Sequence, residues 1–369
     1  MDKTNGVLII PAYNPTEKFV DYAVKAATYF YEIIVVDDGS KAECASVFAE
    51  IEARLGTRVH LLRHERNQGK GVALKTAFAY FQRSGLAEEY VGVITADCDG
   101  QHELHDVVML SEKLGEAHTR CMHVGYRDLS SKDMPFRSKF GNKLTAACFS
   151  ALYGVKMKDT QTGLRAFSTD ILDWLLEIKG DRFEYEMNML VHSRDGGIRI
   201  YEHPITTKYE KKHTSHYSTF RDSAKVARVL FAPLVKYIFA ALLAAAVDLG
   251  LFALFSDVVL PYFGVAELAT ILLAATVGAR VISSVVNFLT NRFLTFGGKR
   301  ISKNSIWKYY LLWAVQLAAS YGAVLGLTFL SGGDGEFWWK MGVDLALAIA
   351  SYQVQMRWVF RRKKTKEEE

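Results

Sequence analysis

Four apolar stretches in the last third of the chain constrain its fold more than any other feature. They run over Leu234–Phe255, Leu268–Leu289, Trp307–Leu330 and Phe337–Phe360. Each approaches the ~20 residues that a helix needs to cross ~30 Å of hydrocarbon. Four such segments in succession favour an all-α bundle of four transmembrane helices over the buried helices of a soluble core.

The connections between these stretches predict their orientation. Basic residues follow the second and the fourth stretch: Arg292, Lys299, Arg300, Lys303, Lys308 and Arg361–Lys364. The connections 257–267 and 331–336 are short and acidic. Because positively charged loops stay in the cytoplasm, we expect both termini and residues 1–230 on the cytoplasmic side of a multi-pass cell membrane protein.

The charge balance argues against nucleic acid as a partner. Residues 1–230 carry 31 Lys and Arg against 31 Asp and Glu, so residues 231–369 supply the whole net charge of +5. Proteins that bind phosphate backbones do so through an excess of basic residues. The lipid bilayer is therefore the expected large partner.

The N-terminal two thirds of the chain is predicted to be a cytosolic domain. Its four cysteines, at positions 44, 98, 121 and 148, show no CxxC spacing, which indicates reduced thiols. The first residues lead into only four apolar positions before Pro11, too few for a signal peptide.

Lys236 and Asp248 interrupt the first apolar stretch, and Arg280 interrupts the second. Asp248 and Arg280 fall at similar depths, and charges inside a membrane need partners. We expect them to pair with each other, or Arg280 to contact a lipid phosphate drawn into the bundle. A purely structural ion pair is the alternative.

Short β-rich runs alternate with helical patterns before residue 126, which favours a parallel α/β sheet. The predicted strands are Val7–Ile10, Ile33–Val36, Val59–Leu62, Val91–Thr95 and Met122–Gly125. The predicted helices are Lys18–Tyr29, Ala42–Leu55, Gly71–Phe81 and Leu104–Leu114.

The ends of these strands carry acidic residues. The first strand-to-helix turn lacks glycine, so neither GxGxxG nor a P-loop is present, which excludes dinucleotide-binding and P-loop folds. Asp97 and Asp99 follow the fourth strand, with Gln101 two residues further on. Carboxylate and amide oxygens suit Mg²⁺ or Mn²⁺, although a lone DxD triplet also occurs in solvated turns.

A series of motifs carries a family resemblance. It comprises Pro11–Asn14, Val35–Ser40, Arg66–Gly71, Asp97–His102, Gly125–Arg127, Arg137–Ser138, Gly141–Asn142 and Asp159–Phe167. The series resembles family 2 glycosyltransferases of the GT-A fold, in the polyprenyl-phosphate branch that includes dolichyl-phosphate mannose synthase. The segment from Lys236 to Arg292 resembles the GtrA-like family of four-helix membrane proteins.

The resemblance implies a division of the chain. A GT-A domain with a Rossmann-like mixed α/β sheet would occupy residues 1–217. An interfacial amphipathic helix or linker would follow at 218–232, then a GtrA-like domain at 233–362 and a charged cytosolic tail at 363–369.

It also implies roles for individual residues. The nucleotide-binding residues would be Pro11, Tyr13, Asp38, Asn67, Lys70 and Asp97. The metal ligands would be Asp97, Asp99 and Gln101, and the catalytic residues Asp99, Arg127 and Arg137. The acceptor phosphate would meet Arg127, Arg137 and Lys208, and the sugar pocket would contain Asp159, Gln161, Thr162 and Arg165.

The implied reaction moves one hexose from a nucleotide sugar to a polyprenyl phosphate, with inversion and a divalent metal. UDP-glucose is the favoured donor, with GDP-mannose or UDP-GlcNAc possible. Two alternatives stay open: a processive polysaccharide synthase, disfavoured by the missing QxxRW motif in the head, and a non-catalytic flippase or scaffold. A homo-oligomer is compatible with the sequence.

Overall fold

The computed structural model describes residues 4–116, 119–128, 134, 136–206, 221–296, 303–331 and 336–360. The chain separates into two compact units. Met1–Ser150 with Val155–Leu230 form the first, here the sheet unit, and Ala151–Gly154 with Phe231–Glu369 form the second, here the helical unit.

Seven strands make up the sheet unit's single sheet, in the order β3-β2-β1-β4-β6-β5-β7. They are β1 (Gly6–Ala12), β2 (Ile33–Asp37), β3 (Val59–Arg63), β4 (Gly92–Thr95), β5 (Cys121–Arg127), β6 (Arg165–Ser168) and β7 (Arg199–Ile205). The first five lie where the sequence predicts strands, with ends that differ by up to two residues.

The sheet is mixed, as the family resemblance implies. The expectation of a purely parallel sheet is wrong, because β6 runs antiparallel to both β4 and β5. The other pairs are parallel: β1 with β2 and β4, β2 with β3, and β5 with β7. Strand β6 has only four residues, which gave no periodic signal in the sequence.

Among the described residues, eight α-helices belong wholly or mainly to the sheet unit. They are α1 (Lys18–Ala26), α2 (Ala45–Leu55), α3 (Lys70–Arg83), α4 (Leu86–Glu89), α5 (Leu104–Gly115), α6 (Phe136–Tyr153), α7 (Leu172–Glu177) and α8 (Glu184–Ser193). The four predicted helices correspond to α1, α2, α3 and α5. A 3₁₀ turn, Ala42–Cys44, replaces the predicted start of α2.

The composition of strand β1 accounts for its position inside the sheet. All seven residues of β1 are buried, and Val7, Leu8, Ile9 and Ile10 have no solvent exposure. A continuous apolar run is typical of a parallel strand covered on both faces. Helices on both sides of the sheet bury it.

The topology brings the carboxyl ends of four strands and the start of a fifth to the same edge of the sheet. Strands β1, β2, β4 and β5 run in one direction, so their carboxyl ends share an edge. The antiparallel β6 begins at this edge, where Arg165 is in register with Thr95. The Thr95 hydroxyl donates to the Gly163 carbonyl at 2.9 Å, which fixes the segment before β6 next to the end of β4.

The helical unit contains most of α9 (Arg221–Leu254), then α10 (Leu260–Tyr262), α11 (Leu268–Thr290), α12 (Lys303–Leu330) and α13 (Glu336–Val354). π-helical turns follow three of them, at Phe255–Val259, Asn291–Thr295 and Gln355–Val359.

Three continuous helical segments of the described chain are long and apolar enough to cross a membrane: Arg221–Tyr262, Leu268–Thr295 and Lys303–Leu330. They contain the first three predicted spans. The fourth predicted span is helical as α13 but is not among the three, so a four-helix membrane bundle stays a prediction.

The predicted helix or linker at 218–232 is not separated from the following segment by a helix end. Helix α9 continues from Arg221 to Leu254 through Pro233, so no helix boundary marks residue 232. Residues 207–220 and 361–369 lie outside the described residues, as do the ends of the predicted domains that fall there.

Asp248 of α9 and Arg280 of α11 form an ion pair. Arg280 Nη2 lies 3.1 Å from Asp248 Oδ2, and the Ser283 hydroxyl donates to Asp248 Oδ1 at 2.9 Å. The pairing expected from their similar depth is therefore present.

Glycine at position 92 is required by the pairing of β4 with β6. A Cβ on Gly92 would lie 2.1 Å from the Phe167 carbonyl oxygen, which is backbone and cannot move aside alone. We expect Gly92→Ala to destabilise the full chain by about 1–3 kcal/mol, the range for overpacking. Denaturant unfolding in detergent measures this.

Gly115→Ala is the matched control. A Cβ there meets nothing within 4 Å, and Gly115 is the last residue of α5. Equal unfolding midpoints for the two variants would contradict the assigned pairing of β4 with β6.

Candidate active site

The Asp38 carboxylate organises the loop that leads into α3. Its oxygens accept hydrogen bonds from the Gln68 N–H at 2.9 Å, the Gly69 N–H at 2.8 Å and the Asn67 side-chain amide at 2.9 Å. His64 Nδ1 lies 2.8 Å from the same carboxylate. Asp38 and Asn67 lie together, as the sequence predicts. Asp38 is buried, however, and both of its carboxylate oxygens hold the loop before α3.

Gly39 allows this loop to approach. Its φ is +67°, and a Cβ would lie 2.2 Å from the Arg66 carbonyl carbon. A side chain at this position would separate the segment after β2 from the segment before α3.

Lys70 lies between two carboxylates. Its Nζ is 2.7 Å from Asp97 Oδ1 and 3.0 Å from Glu186 Oε1, and its side chain is 14% exposed. The interaction joins the first residue of α3 to the segment after β4 and to α8. His102 Nε2 lies 3.4 Å from the other Asp97 oxygen, Oδ2.

These neighbours keep the pair ionised. Burial opposes the charge on Lys70, but Asp97 and Glu186 outweigh it and raise the pKa of Lys70. Burial likewise opposes the charge on Asp97, yet Lys70 and His102 lower the pKa of that carboxyl. The group therefore combines one ammonium with carboxylates on two sides.

Gly163 packs directly against this ion pair. A Cβ would lie 2.6 Å from Lys70 Nζ and 2.7 Å from Asp97 Oδ2. The absence of a side chain at position 163 lets the segment before β6 close over the pair.

Asp99 occupies the exposed part of the same loop. Asp99 Oδ1 accepts a hydrogen bond from the Gln101 N–H at 3.0 Å. Asp99 is exposed, whereas Asp97 is only partly exposed. Cys98 lies between these two aspartates in the sequence. Burial and the charges of Asp99 and Asp97 raise the pKa of its thiol to about 12. Both effects favour the protonated thiol near pH 7.

The charge of this cluster fits a divalent cation. Asp97, Asp99 and Glu186 supply three carboxylates, and Lys70 supplies one ammonium. Such an edge repels an anionic ligand unless a cation lies between them. Among the described residues, no three His, Cys, Asp or Glu side chains form a complete metal cage. Mg²⁺ is commonly held by one or two carboxylates and completes its coordination with substrate phosphates, and Asp97 and Asp99 fit that pattern.

Arg127 and Asp159 form a second cluster at the same edge. Arg127 Nε donates to Asp159 Oδ2 at 2.7 Å and Nη2 donates to Oδ1 at 3.2 Å. The Asn142 amide and the Gln161 N–H donate to Oδ1 at 2.8 and 2.9 Å. Burial opposes the charge on Asp159, but Arg127 and these donors lower the pKa of its carboxyl. Asp159 thus orients Arg127.

Arg165 supports the site from behind. Its guanidinium donates to the Thr162 carbonyl at 3.1 Å and to the Glu186 carbonyl at 2.8 Å, and the residue is 1% exposed. The expectation that it faces a sugar or phosphate does not fit a side chain buried to this extent. Burial lowers the pKa of Arg165, with Glu186 opposing that effect.

The remaining predicted residues divide by position. Pro11 is buried in β1, Tyr13 follows it with partial exposure, Gln161 is exposed and Thr162 is buried. The side chain of Arg137 and the whole of Lys208 lie outside the described residues.

Sequence reasoning missed Glu186, and it named Asn142 only as part of a family motif, without a role in the site. Glu186 stands among Met187, Met189 and Leu190, and all four residues are buried. A carboxylate in an apolar helix was the available signal, because such a group needs a partner.

Lys70→Met should destabilise the full chain by about 3–5 kcal/mol near pH 7, because Asp97 and Glu186 would lose their shared cation. The lowered pKa of Asp97 contributes stability above its unfolded value of ~3.9, and this is lost as the pH falls through the folded pKa. The difference between wild type and variant should therefore narrow from about pH 5 towards pH 3.

Unfolding free energies in detergent at several pH values measure this difference. Lys25→Met, an exposed lysine in the last turn of α1, is the control and should change stability little. A pH-independent difference for Lys70→Met would contradict the ion pair.

Comparison with known proteins places both units. Residues 7–171 match the family described as glycosyl transferase family 2. Residues 236–360 match the family described as GtrA/DPMS, transmembrane domain. Apart from Ala151–Gly154, the first match falls in the sheet unit, and the second falls in the helical unit.

Similar proteins share a polyprenol-type lipid in their names. UDP-N-acetylglucosamine–dolichyl-phosphate N-acetylglucosaminyltransferase of Methanococcus voltae is 30% identical over 220 residues, which is 55% of this chain and 85% of that protein. Polyprenol monophosphomannose synthase of Mycolicibacterium smegmatis is 24% identical over 54% of this chain and 76% of its own. A dolichyl-phosphate beta-glucosyltransferase of Trichomonas vaginalis is 27% identical over 53% and 63%. The sugars in these names differ.

Proposed function

This chain belongs to glycosyl transferase family 2 and carries a GtrA/DPMS transmembrane domain, and from this membership we propose that it transfers one hexose from a nucleotide sugar to a polyprenyl phosphate. The relatives support the lipid acceptor, since all three are named for a dolichyl or polyprenol lipid. The apolar helices support a reaction at a membrane.

One observation carries the proposal. The exposed Asp99 follows the partly buried Lys70–Asp97–Glu186 group at the carboxyl edge of the sheet. In open α/β sheets, ligands bind outside the carboxyl ends of the strands. This is the place where a sugar diphosphate would bind.

A divalent ion would be held by Asp97, Asp99 and Gln101. When bound, Mg²⁺ or Mn²⁺ offsets the negative charge that develops on the departing diphosphate. Lys70 holds Asp97 in place and keeps it ionised over the physiological pH range.

The acceptor needs no protein general base. A phosphate monoester has a second pKa near ~6, so it reaches the site largely as a dianion. Its oxygen forms the bond to the anomeric carbon while the bond to the nucleoside diphosphate breaks, and that leaving group takes the electron pair. Attack from the opposite face gives inversion.

Arg127 would hold the acceptor phosphate, with Arg137 and Lys208 as further candidates. The fork of a guanidinium suits phosphate oxygens better than an ammonium does. Asp159 orients this fork through two hydrogen bonds. Asp159 therefore acts as a positioning residue.

The donor pocket would lie between the first two strand ends. Tyr13 and Asn67 would line it and Asp38 would hold its loop, next to Pro11. Gln161 and Thr162 would lie at the sugar side, with Arg165 behind them. UDP-glucose is the first donor to test. UDP-GlcNAc is named in one relative and mannose in another, so UDP-GlcNAc and GDP-mannose are the next donors to test.

The charge pattern of the connections supports a reaction on the cytoplasmic face of the cell membrane. Nucleotide sugars are soluble anions, so a cytoplasmic catalytic unit would meet its donor directly. The polyprenyl chain of the acceptor would stay in the bilayer.

Asp99→Ala should reduce transfer by at least about 100-fold, because the site would lose an exposed carboxylate for the metal. The measurement is label incorporated into lipid by the full chain in detergent, with undecaprenyl phosphate, Mn²⁺ and one labelled donor at a time.

Asp173→Ala is the matched control. Asp173 lies on α7 and accepts a hydrogen bond from Gln82 at an exposed position. Full activity of Asp99→Ala would overturn the metal assignment.

Arg127→Lys should raise the KM for the lipid acceptor by about tenfold or more and leave the KM for the donor little changed. The ammonium keeps the charge but loses the paired hydrogen bonds that orient Arg127 on Asp159. Initial rates at varied acceptor and varied donor separate the two constants.

Arg83→Lys, an exposed substitution in the last turn of α3, is its control. An unchanged acceptor KM in Arg127→Lys would remove Arg127 from the acceptor site.

A further inference from the structure

Arg182 lies between the loop 64–69 and the first turn of α9. Its Nη1 donates a hydrogen bond to Asn67 Oδ1 at 3.3 Å, and its Nε lies 3.6 Å from Asp222 Oδ1. Asp222 is in the first turn of α9, and its side chain is 2% exposed. All three residues belong to the sheet unit. The guanidinium therefore connects two segments that are distant in sequence.

The aliphatic part of Arg182 packs on the same loop. A Cβ on Gly69 would lie 2.6 Å from Arg182 Cγ and 2.5 Å from the Asp181 carbonyl oxygen. That carbonyl accepts a hydrogen bond from the Val72 N–H at 3.1 Å. Because the Gly69 N–H also donates to the Asp38 carboxylate, Arg182 covers the part of the loop that Asp38 holds.

Both ends of the Asn67 side-chain amide are used. Its Nδ2 donates to the Asp38 carboxylate at 2.9 Å and to the Asp38 carbonyl at 3.3 Å, while its Oδ1 accepts from Arg182. An amide turned by half a rotation would present its oxygen to a carboxylate, which accepts hydrogen bonds and donates none when ionised. Asp38 and Arg182 together therefore hold one orientation of Asn67.

The contact with Asp222 limits where the guanidinium of Arg182 can lie. A buried carboxylate attracts a cationic group because its charge has lost water. The Arg182 side chain is itself 39% exposed, and ion pairs that water reaches contribute little to the stability of a fold. We therefore expect Asp222 to act mainly on the position of Arg182.

We propose that Arg182 is a positioning residue for the nucleotide part of the donor. It holds Asn67 and Gly69 in the arrangement that binds the nucleotide, and Asp222 in turn holds Arg182. The inference rests on the proposed function, which assigns Asn67 to the donor pocket. It extends the support of that pocket to the first turn of α9.

A second ion pair attaches the same part of α9 to the sheet unit. Lys225 Nζ lies 3.4 Å from Glu184 Oε1. That oxygen also accepts from the Asp181 N–H at 3.3 Å, so it keeps a donor when Lys225 is replaced. The Lys225 pair joins α9 to α8, whereas the Arg182 pair joins α9 to the loop 64–69. The chain therefore offers a matched control.

The test measures nucleotide binding by isothermal titration calorimetry, with the full chain in detergent and with UDP or GDP as the probe, each with Mn²⁺. Arg182→Lys keeps a charge for Asp222 but loses the fork that also reaches Asn67. Asp222→Asn removes the charge that holds the fork. Each should raise the Kd of the bound nucleotide by about three- to tenfold, as expected for one lost hydrogen bond. The control, Lys225→Met, should change the Kd less than about twofold.

A double variant tests whether Arg182 acts through Asn67. Asn67→Ala should weaken nucleotide binding, and adding Arg182→Lys should then change the Kd less than about twofold, because the residue that Arg182 orients is gone. Effects of the two substitutions that multiply would mean that Arg182 acts on the nucleotide without Asn67, which would overturn the positioning role.

Steady-state rates give a second readout. Arg182→Lys should raise the KM for the donor by the same factor as the Kd, and should leave kcat and the KM for the acceptor within about twofold of wild type. A general defect of the fold would instead lower kcat and the unfolding midpoint, which would contradict the proposal.

Three further results would overturn it: wild type that binds neither UDP nor GDP, an unchanged Kd in Arg182→Lys, and an equal loss of binding in Asp222→Asn and Lys225→Met. Nucleotide binding is measured without an acceptor lipid. Loss of transfer with intact nucleotide binding would therefore count against the proposed function only.

Discussion

The ammonium of Lys70 between Asp97 and Glu186 is the interaction on which the sheet unit's site depends. It connects α3, the end of β4 and α8, which are distant in sequence. Both carboxylates are held at the edge of the sheet by one shared cation. The negative charge that remains at this edge, together with exposed Asp99, is what supports the proposal of a metal-bound diphosphate ligand.

Much of the sheet could be predicted because its inner strands are continuous apolar runs. β1, β2 and β4 are buried on both faces, and turn residues bound them. β6 and β7 could not be predicted in this way. β6 is four residues long and contains a buried arginine, and β7 is largely partly exposed. β6 is specified by pairing with β4 and β5, and β7 by pairing with β5, and no local pattern records these contacts.

The acidic residues at the strand ends were found from sequence, but their partners were not. Asp38 and Asp97 look alike in sequence, each following an apolar strand. In the structure Asp38 is used by the loop 64–69, and Asp97 pairs with Lys70. Similarly, Arg127 ends β5 and Arg165 begins β6, yet the Arg127 side chain is 18% exposed while Arg165 is 1% exposed. Hydrogen-bond partners some 30 residues away decide which charges can meet a ligand.

The helical unit repeats this theme in an apolar setting, where each polar group is costly and its partner informative. Under the proposed function, a soluble sugar donor meets a lipid acceptor at the membrane. The mass of the lipid product tests this most directly, after purified full-length protein is incubated with undecaprenyl phosphate, Mn²⁺ and a nucleotide sugar. We expect an increase equal to one sugar residue per lipid. A polymer on the lipid, or unchanged lipid with every donor, would contradict the account.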